Sequence, residues 1–442
     1  MSQYRAYPTY KDSGIEWIGQ VPEEWLNRKV FHAFQAIGSG TTPPAKEHEW
    51  YQGGTIPWIT TSELRENTVV KTKKCVTSDA MQKFSALKIF PAGSLAIAMY
   101  GATIGRLGFL GIPATTNQAC CVLSGERDLN IQFLYYWLMA FRADIVAFFS
   151  EGGGQPNINQ EVIASLRVPS PAPDEQATIV ATLDRETARI DALVEKKTRF
   201  IELLKEKRQA LITHAVTKGL DRNAKMKDSG IEWIGQVPEE WLNRKVFHAF
   251  QAIGSGTTPP AKEHEWYQGG TIPWITTSEL RENTVVKTKK CVTSDAMQKF
   301  SALKIFPAGS LAIAMYGATI GRLGFLGIPA TTNQACCVLS GERDLNIQFL
   351  YYWLMAFRAD IVAFFSEGGG QPNINQEVIA SLRVPSPAPD EQATIVATLD
   401  RETARINALI SKAEQSITLL KERRAAFITA AVTGQIDLRG KQ

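Results

Sequence analysis

The stretch Asp174–Thr217, DEQATIVATLDRETARIDALVEKKTRFIELLKEKRQALITHAVT, holds no proline or glycine and is dense in charge. Ile179, Leu183, Ile190, Val194, Ile201, Leu204, Leu211 and Ala215 recur along it three to seven residues apart, which predicts one long helix with a single apolar seam. At about 1.5 Å per residue it would span roughly 65 Å. A second stretch of the same kind runs from Asp390 to Thr433, with Ile395, Leu399, Ile406, Ile410, Ile417, Leu420 and Phe427 on its seam. A helix with one apolar stripe needs a partner, and the nearest is the other copy. Helix one delivers the chain to its far end, so helix two must run back along it. The expected pair is antiparallel with a pseudo-twofold axis, which turns a tandem repeat in sequence into an inverted repeat in space.

The repeat itself is exact over most of its length. Lys11–Ile190 recurs unchanged as Lys227–Ile406, a shift of 216 positions covering 180 residues of the 442. Over the next 32 positions, Asp191–Arg222 against Asn407–Leu438, only 16 match. Neutral drift scatters differences, whereas a sharp edge points to one module copied recently, by recombination or engineering, into a scaffold whose halves had already diverged. Whatever the chain does, it does at two equivalent places.

Each module opens with Asp12-Ser13-Gly14-Ile15-Glu16-Trp17-Ile18-Gly19 and Val21-Pro22-Glu23-Glu24-Trp25, two tryptophans among turn residues. Short β-type runs follow at Ile56–Thr60, Ser94–Tyr100, Arg106–Leu110 and Ala119–Ser124, separated by Gly, Pro, Asn and Thr. Asn130–Phe149 carries apolar residues three to four apart and reads as an amphipathic helix. The loop Gly152–Asn159 and a short strand around Ser165–Val168 complete an α+β domain, which Pro171-Ala172-Pro173 ends. The expected division is a first domain over 1–170, a long helix over 171–222, a second domain over 223–386, and a distal helix and tail over 387–442.

Composition narrows the function classes. At 44% hydrophobic residues each copy can bury its own core. Three cysteines per module, Cys75, Cys120 and Cys121, an odd number with no signal peptide, argue for a reducing cytoplasm rather than a disulfide framework. Apolar stretches such as Leu95–Tyr100 fall short of a membrane span. Net charge is only +4, and Lys11–Ser170 holds fourteen Lys/Arg against fourteen Asp/Glu, so positive charge for nucleic acid would have to be gathered on one face.

Catalytic signatures are missing. Gly38-Ser39-Gly40 lacks the third glycine of a nucleotide loop, and Gly101-Ala102-Thr103-Ile104-Gly105-Arg106 lacks the Lys-Ser/Thr ending of a phosphate loop. Thr42-Pro43-Pro44-Ala45 has neither the Asn/Asp nor the aromatic residue that a base-flipping amino-methyltransferase places around its prolines. His32 and His48 stand apart from any Cys/His cluster, and Cys120-Cys121 in a strand-like run reads as a buried pair rather than a redox site. The chain reads as a reader, not a catalyst.

At this point the residues resemble the specificity subunit of type I restriction–modification systems. The resemblance rests on Lys11–Gly19 with Pro22 and Trp25, repeated from Lys227, and on Pro171–Pro173 followed by Asp174-Glu175-Gln176 and Ile179. It also rests on the loop Gly152-Gly153-Gly154-Gln155-Pro156-Asn157-Ile158 and on long helices ending Ala215-Val216-Thr217 and Ala431-Val432-Thr433. It covers essentially the whole chain. It implies two target-recognition domains, each reading half of a bipartite double-stranded DNA sequence, with the long helices as spacer and ruler. It implies two modification (methyltransferase) subunits that methylate adenine with S-adenosylmethionine, and restriction subunits that add cleavage driven by ATP and requiring Mg. No cofactor or metal is expected on this chain. Family members usually carry two different recognition domains, and here they are identical, so a palindromic target is expected. The alternative is a freestanding DNA-binding scaffold or decoy without enzyme partners.

Within each module, three loops and one basic cluster are the candidate DNA contacts. The loops are Thr60-Thr61-Ser62 with Arg65, Tyr100-Gly101-Ala102-Thr103 with Arg106, and Thr115-Thr116-Asn117-Gln118; the cluster is Lys71, Lys73 and Lys74. Their copies are Thr276, Thr277, Ser278, Arg281, Tyr316, Thr319, Arg322, Thr332, Asn333, Gln334, Lys287, Lys289 and Lys290. Asn and Gln can pair bidentately with adenine and Arg with guanine, Thr can meet a thymine methyl or a phosphate, and the lysines suit phosphates. The plainer reading is that Asn117 and Gln118 cap turns and the lysines form a solvated face.

Overall fold

The computed structural model describes residues 4–149, 157–365 and 373–439. Residues 152–156 of the glycine-rich loop, and their copies 368–372, lie outside the described residues. The chain forms two compact units, Met1–Lys197 with Gln415–Gln442, and Thr198–Glu414. These units cut through both long helices, so each consists of one recognition domain with half of each helix.

The helices run over Pro173–Lys218 and Pro389–Val432, 46 and 44 residues. Each begins on the proline that ends the preceding domain, at the first helical position, where a missing N–H costs nothing and φ is already helical. Asp174-Glu175 and Asp390-Glu391 place negative charge in the first turns, matching the helix dipole.

The pairing is antiparallel within each unit. In the first, Glu175 near the start of one helix accepts from Trp25 Nε1 at 3.4 Å, and Gly434 just beyond the end of the other packs against the same tryptophan. Further along, Asp191 meets Arg424 at 3.0 Å. In the second unit, Trp241 takes the place of Trp25, with Glu391 at 3.4 Å and Gly219 against the ring, and Arg208 Nη1 donates to Asn407 Oδ1 at 2.6 Å.

The seam is buried as its spacing requires. Ile179, Leu183, Ile190, Ile201 and Leu204 are at most 8% exposed, as are Ile395, Leu399, Ile406 and Ile410. Val194, Ile417 and Leu420, also placed on the seam, are only half-buried, and the stripe shifts at two further positions. Near the end of the first helix Ile212 is fully buried, as are Ala215 and Val216, while Leu211 is only half-buried, and Ala413 is buried in the second helix. A 3.6-residue period drifts against a fixed four-and-seven pattern, so the stripe shifts by one position along so long a helix.

The first recognition domain is built on a five-stranded sheet in the order Phe34–Gly38, Cys120–Glu126, Leu95–Ala98, Leu107–Leu110, Asn67–Val69. All neighbours are antiparallel except the last pair, in which Asn67 faces Gly108. A three-stranded sheet sets Ile56–Ile59 between Thr115–Thr116, parallel to it, and Lys74–Val76, antiparallel. The second domain repeats both sheets. Spacing in the sequence pointed to the central strands but passed over Phe34–Gly38, Asn67–Val69, Lys74–Val76 and Thr115–Thr116, which are short and alternate weakly.

The helix expected over Asn130–Phe149 is broken into Ile131–Ala140 and Arg142–Phe149. Phe141 turns out of the helical region (φ −107°, ψ 17°) and is buried against Trp137, with ring centroids 5.3 Å apart. The first half buries Phe133, Leu134, Trp137 and Leu138, and the second buries Ile145.

Gln176 fastens helix to domain. It is fully buried, donates to the carbonyls of Asp128 (3.1 Å) and Pro171 (2.9 Å), and accepts from the N–H of Asn130 (2.7 Å). Gln392 does the same in the second unit. Gln176→Leu, or Gln392→Leu, is therefore expected to destabilise its unit by about 1–3 kcal/mol, since buried polar backbone groups lose their partners. Denaturant titration of each variant checks this, and an unchanged midpoint would show that Gln176 is not the fastening.

Candidate nucleic-acid interface

Strands Ile56–Ile59 and Thr115–Thr116 end side by side, because Ile59 pairs with Thr116. The chain leaves the first as Thr60-Thr61-Ser62 and the second as Asn117-Gln118, and the N–H of Asn117 donates to Ile59 O at 3.0 Å. Met99 N–H donates to Ala119 O at 2.8 Å, which brings the start of the Tyr100 turn alongside the same loop. Three candidate loops, far apart in sequence, thus converge at one end of the sheets.

Glu63 organises this end. Its Oε2 accepts from the N–H and hydroxyl of Thr60 at 2.8 and 3.0 Å, and its Oε1 accepts from the N–H of Lys73 at 2.8 Å. The basic turn Lys71–Lys74 is thereby tied to the Thr60 loop, with all three lysines exposed. Lys74 Nζ sits 5.6 Å from the Tyr51 ring centroid. Thr60 and Glu63 form a capping box, whose Thr-x-x-Glu spacing is legible in the sequence but was not used to find Glu63.

Arg65 is exposed and held by Nε donating to Ser62 O at 3.2 Å. The next residue, Glu66, has φ +55°, and only it and Glu282 among the described non-glycine residues are left-handed. An ion pair with Arg142 and a 2.8 Å bond from its N–H to Leu107 O hold Glu66 there. Strain of this kind persists where the surroundings fix it. Here it sets the direction in which Arg65 leaves the domain.

The turn Tyr100–Arg106 closes on itself, with Thr103 Oγ1 donating to Tyr100 O at 3.2 Å and Arg106 N–H to Thr103 O at 2.9 Å. Tyr100 bridges to Asn157, a residue of the loop on which the resemblance rests but not among the candidate contacts. Arg106 is half-buried, and among the described residues no hydrogen bond joins its guanidinium to the other loops.

Thr116 and Thr332 are corrected. Both are fully buried, because strand pairing turns them inward, and each hydroxyl accepts from a glycine N–H, of Gly40 at 3.0 Å and Gly256 at 3.1 Å. They shape the loop instead of facing a ligand. Asn117 and Gln118 divide the two readings given them. Gln118 is exposed and accepts from Thr42 Oγ1 at 2.5 Å, which adds Thr42 to the surface. Asn117 Oδ1 is buried with no hydrogen-bond partner among the described residues, and Asn333 repeats this. That oxygen therefore caps no turn, while Asn117 as a whole is half-buried beside the exposed Gln118. The copies of the other residues take equivalent places: Thr276, Thr277, Ser278 and Arg281 on Glu279, Lys287, Lys289 and Lys290 on the basic turn, and Tyr316, Thr319, Arg322 and Gln334 in their loops.

Cys120 and Cys121 lie in the central strand with no exposure, and burial pushes both thiols up, Cys121 to about 12. Neither is a thiolate near neutral pH. Among the described residues no group of three His, Cys, Asp or Glu is arranged to hold a metal ion, and no helix is long and apolar enough to cross a membrane.

Gly40 is the closest approach in the interface: a Cβ there would overlap the carbonyl of Thr116. Gly40→Ala together with Gly256→Ala should push the Asn117–Gln118 loop away from Thr60 and abolish DNA binding with helix content unchanged. Gel shift beside circular dichroism reads both, and full DNA binding by this variant would separate the loop from the interface.

The model of the type I restriction modification DNA specificity domain matches residues 22–203 and again 238–419. A type I restriction enzyme specificity subunit of Escherichia coli is 24% identical over 315 residues, 67% of this chain and 69% of that protein. Another, from Methanocaldococcus jannaschii, is 21% identical over 99% of this chain and 98% of its own. Among solved structures, a chain from work on complex assembly of the type I R-M system superposes with TM-score 0.75 at 16% identity, covering 94% of this chain and 99% of that one. The HsdS subunit from Thermoanaerobacter tengcongensis superposes with TM-score 0.57 at 16% identity, covering 94% and 98%. With its two matched segments embracing both recognition domains and most of both helices, the chain belongs to the type I restriction–modification specificity subunits.

Proposed function

We propose that this subunit reads a bipartite, palindromic DNA target with a fixed non-specific spacer and carries no catalytic step itself. Two modification subunits, with S-adenosylmethionine, and restriction subunits, with ATP and Mg, supply the chemistry on the frame it provides, in the cytoplasm. The observation that carries the reading is the repetition, residue for residue, of one converging loop cluster at the two places where antiparallel helices meet a recognition domain. Identical side chains read identical short sequences. A reader whose two identical halves run in opposite directions along the duplex matches an inverted repeat, and that is the target proposed.

Binding selection from random duplexes, with the modification subunits present, tests this. The expected product is two identical half-sites on opposite strands at one spacing. One added base pair in the spacer displaces a half-site by about 3.4 Å and rotates it by roughly a tenth of a turn, which rigid readers do not follow. A direct repeat, or two different half-sites, would overturn the twofold arrangement.

The loops also divide by task. Asn117 with Asn333, replaced by Ala, should relax preference at one base pair of each half-site by about 1–3 kcal/mol. Lys73 with Lys289, replaced by Ala, should weaken binding to all sequences alike and flatten its salt dependence. Competition binding across single-base variants distinguishes them. If the lysine pair changes base preference and the asparagine pair does not, the assignment is reversed.

A further inference from the structure

The identity of the two modules ends at Ile190 and Ile406, and the first position that differs exchanges a charge: Asp191 against Asn407. Both residues face an arginine of the opposing helix, and the arginines, Arg424 and Arg208, are equivalent and retained. In the first unit Asp191 neutralises Arg424 at 3.0 Å. In the second, Asn407 Oδ1 accepts from Arg208 at 2.6 Å, fixing the guanidinium without cancelling its charge. Among the described residues Arg208 forms no ion pair.

Arg208 and Asn407 line an open groove of about 1440 Å³ between the helices and the second recognition domain. Arg281, at the end of the Thr276 loop, lines it too. The groove holds two acids: Glu282 pairs with Arg358, and Asp400 accepts from the neutral Tyr352 hydroxyl at 2.6 Å and keeps its charge. Three arginines, Arg208, Arg281 and Arg358, against the two carboxylates Glu282 and Asp400 leave the groove one positive charge in excess. The equivalent residues of the first unit balance, Arg65, Arg142 and Arg424 against Glu66, Asp184 and Asp191, because Asp191 stands where Asn407 does.

We infer that the groove of the second unit takes a DNA phosphate on Arg208, beyond the half-site read by the loops, and that Asp191 withholds the matching contact in the first unit. The inference rests on the DNA-reading function proposed above. The two readers share one sequence preference yet grip the duplex unequally. A DNA backbone is favoured over an acidic protein because the groove continues from Arg281, which belongs to the loops that face DNA.

The test is the salt dependence of DNA binding by the full chain with its modification subunits, on the selected inverted repeat and on a scrambled duplex of the same length. Each phosphate contact contributes about 0.9 to the slope of log K against log salt. Asn407→Asp should lower the slope by about 1 on both duplexes and weaken binding several-fold at low salt. Asp191→Asn should raise the slope by the same amount, and Asn407→Ala, which adds no charge, should leave it unchanged. An unchanged slope for Asn407→Asp, with the inverted repeat still preferred over the scrambled duplex, overturns the inference. So does an unchanged slope accompanied by weaker capture of the modification subunits, which would make the groove a protein contact. Failure of the wild type to prefer the inverted repeat would instead overturn the functional reading itself.

Discussion

A helix of 46 residues with one apolar stripe is not stable alone in water, and everything else in this chain follows from covering that stripe. Each fully buried Ile or Leu of the seam contributes about 1.5–3 kcal/mol when removed from water, whereas an exposed ion pair such as Asp191 with Arg424 contributes about 0–1. The seam therefore holds the helices, and the charges along it are left to serve other purposes. Within each unit the seam does not stop at the helix pair. Ile179, Leu183, Phe427 and Val432 share one core with Trp25, Phe133 and Trp137 of the recognition domain. Ile395, Leu399, Ile212 and Val216 share another with Trp241, Phe349 and Trp353. Recognition domain and helix pair are thus one hydrophobic body within a unit.

This joint core accounts for why the compact units cut the helices in half, against the domain boundaries that the sequence suggests. Pro171–Pro173 is a real break in the backbone, and the helix does begin there. It is not a break in packing, because Gln176 and the first seam residues turn back onto the domain. Local composition reports chain direction well and reports contacts between distant segments poorly.

The same division explains how much of the interface could be read in advance. Long-period features were legible: the helices, the repeat and its edge. The loops that carry polar side chains were legible as loops, but burial within them was not. Thr116 and Asn117 are adjacent residues of one motif. Strand pairing with Ile59 sends one inward and leaves the other with an orphaned oxygen, and nothing in the letters distinguishes them. Thr42 and Asn157 joined the surface through partners 76 and 57 positions away, beyond any local pattern. Glu63 was the exception, since its capping box is a local signature.

The sharp edge of identity at Ile190 has a genetic corollary. The copies stand 216 positions apart in one helical register, so an exchange between them anywhere in the repeated stretch excises 216 residues and joins the first domain to the second helix. The hybrid helix passes from Ile190 directly to Asn407, and Ile410, Ile417, Leu420 and Phe427 take up the stripe where Val194, Ile201, Leu204 and Leu211 left it. No frame of packing is lost. The shortened product carries a single reader on an intact but uncovered stripe, and its nearest cover is another molecule of itself.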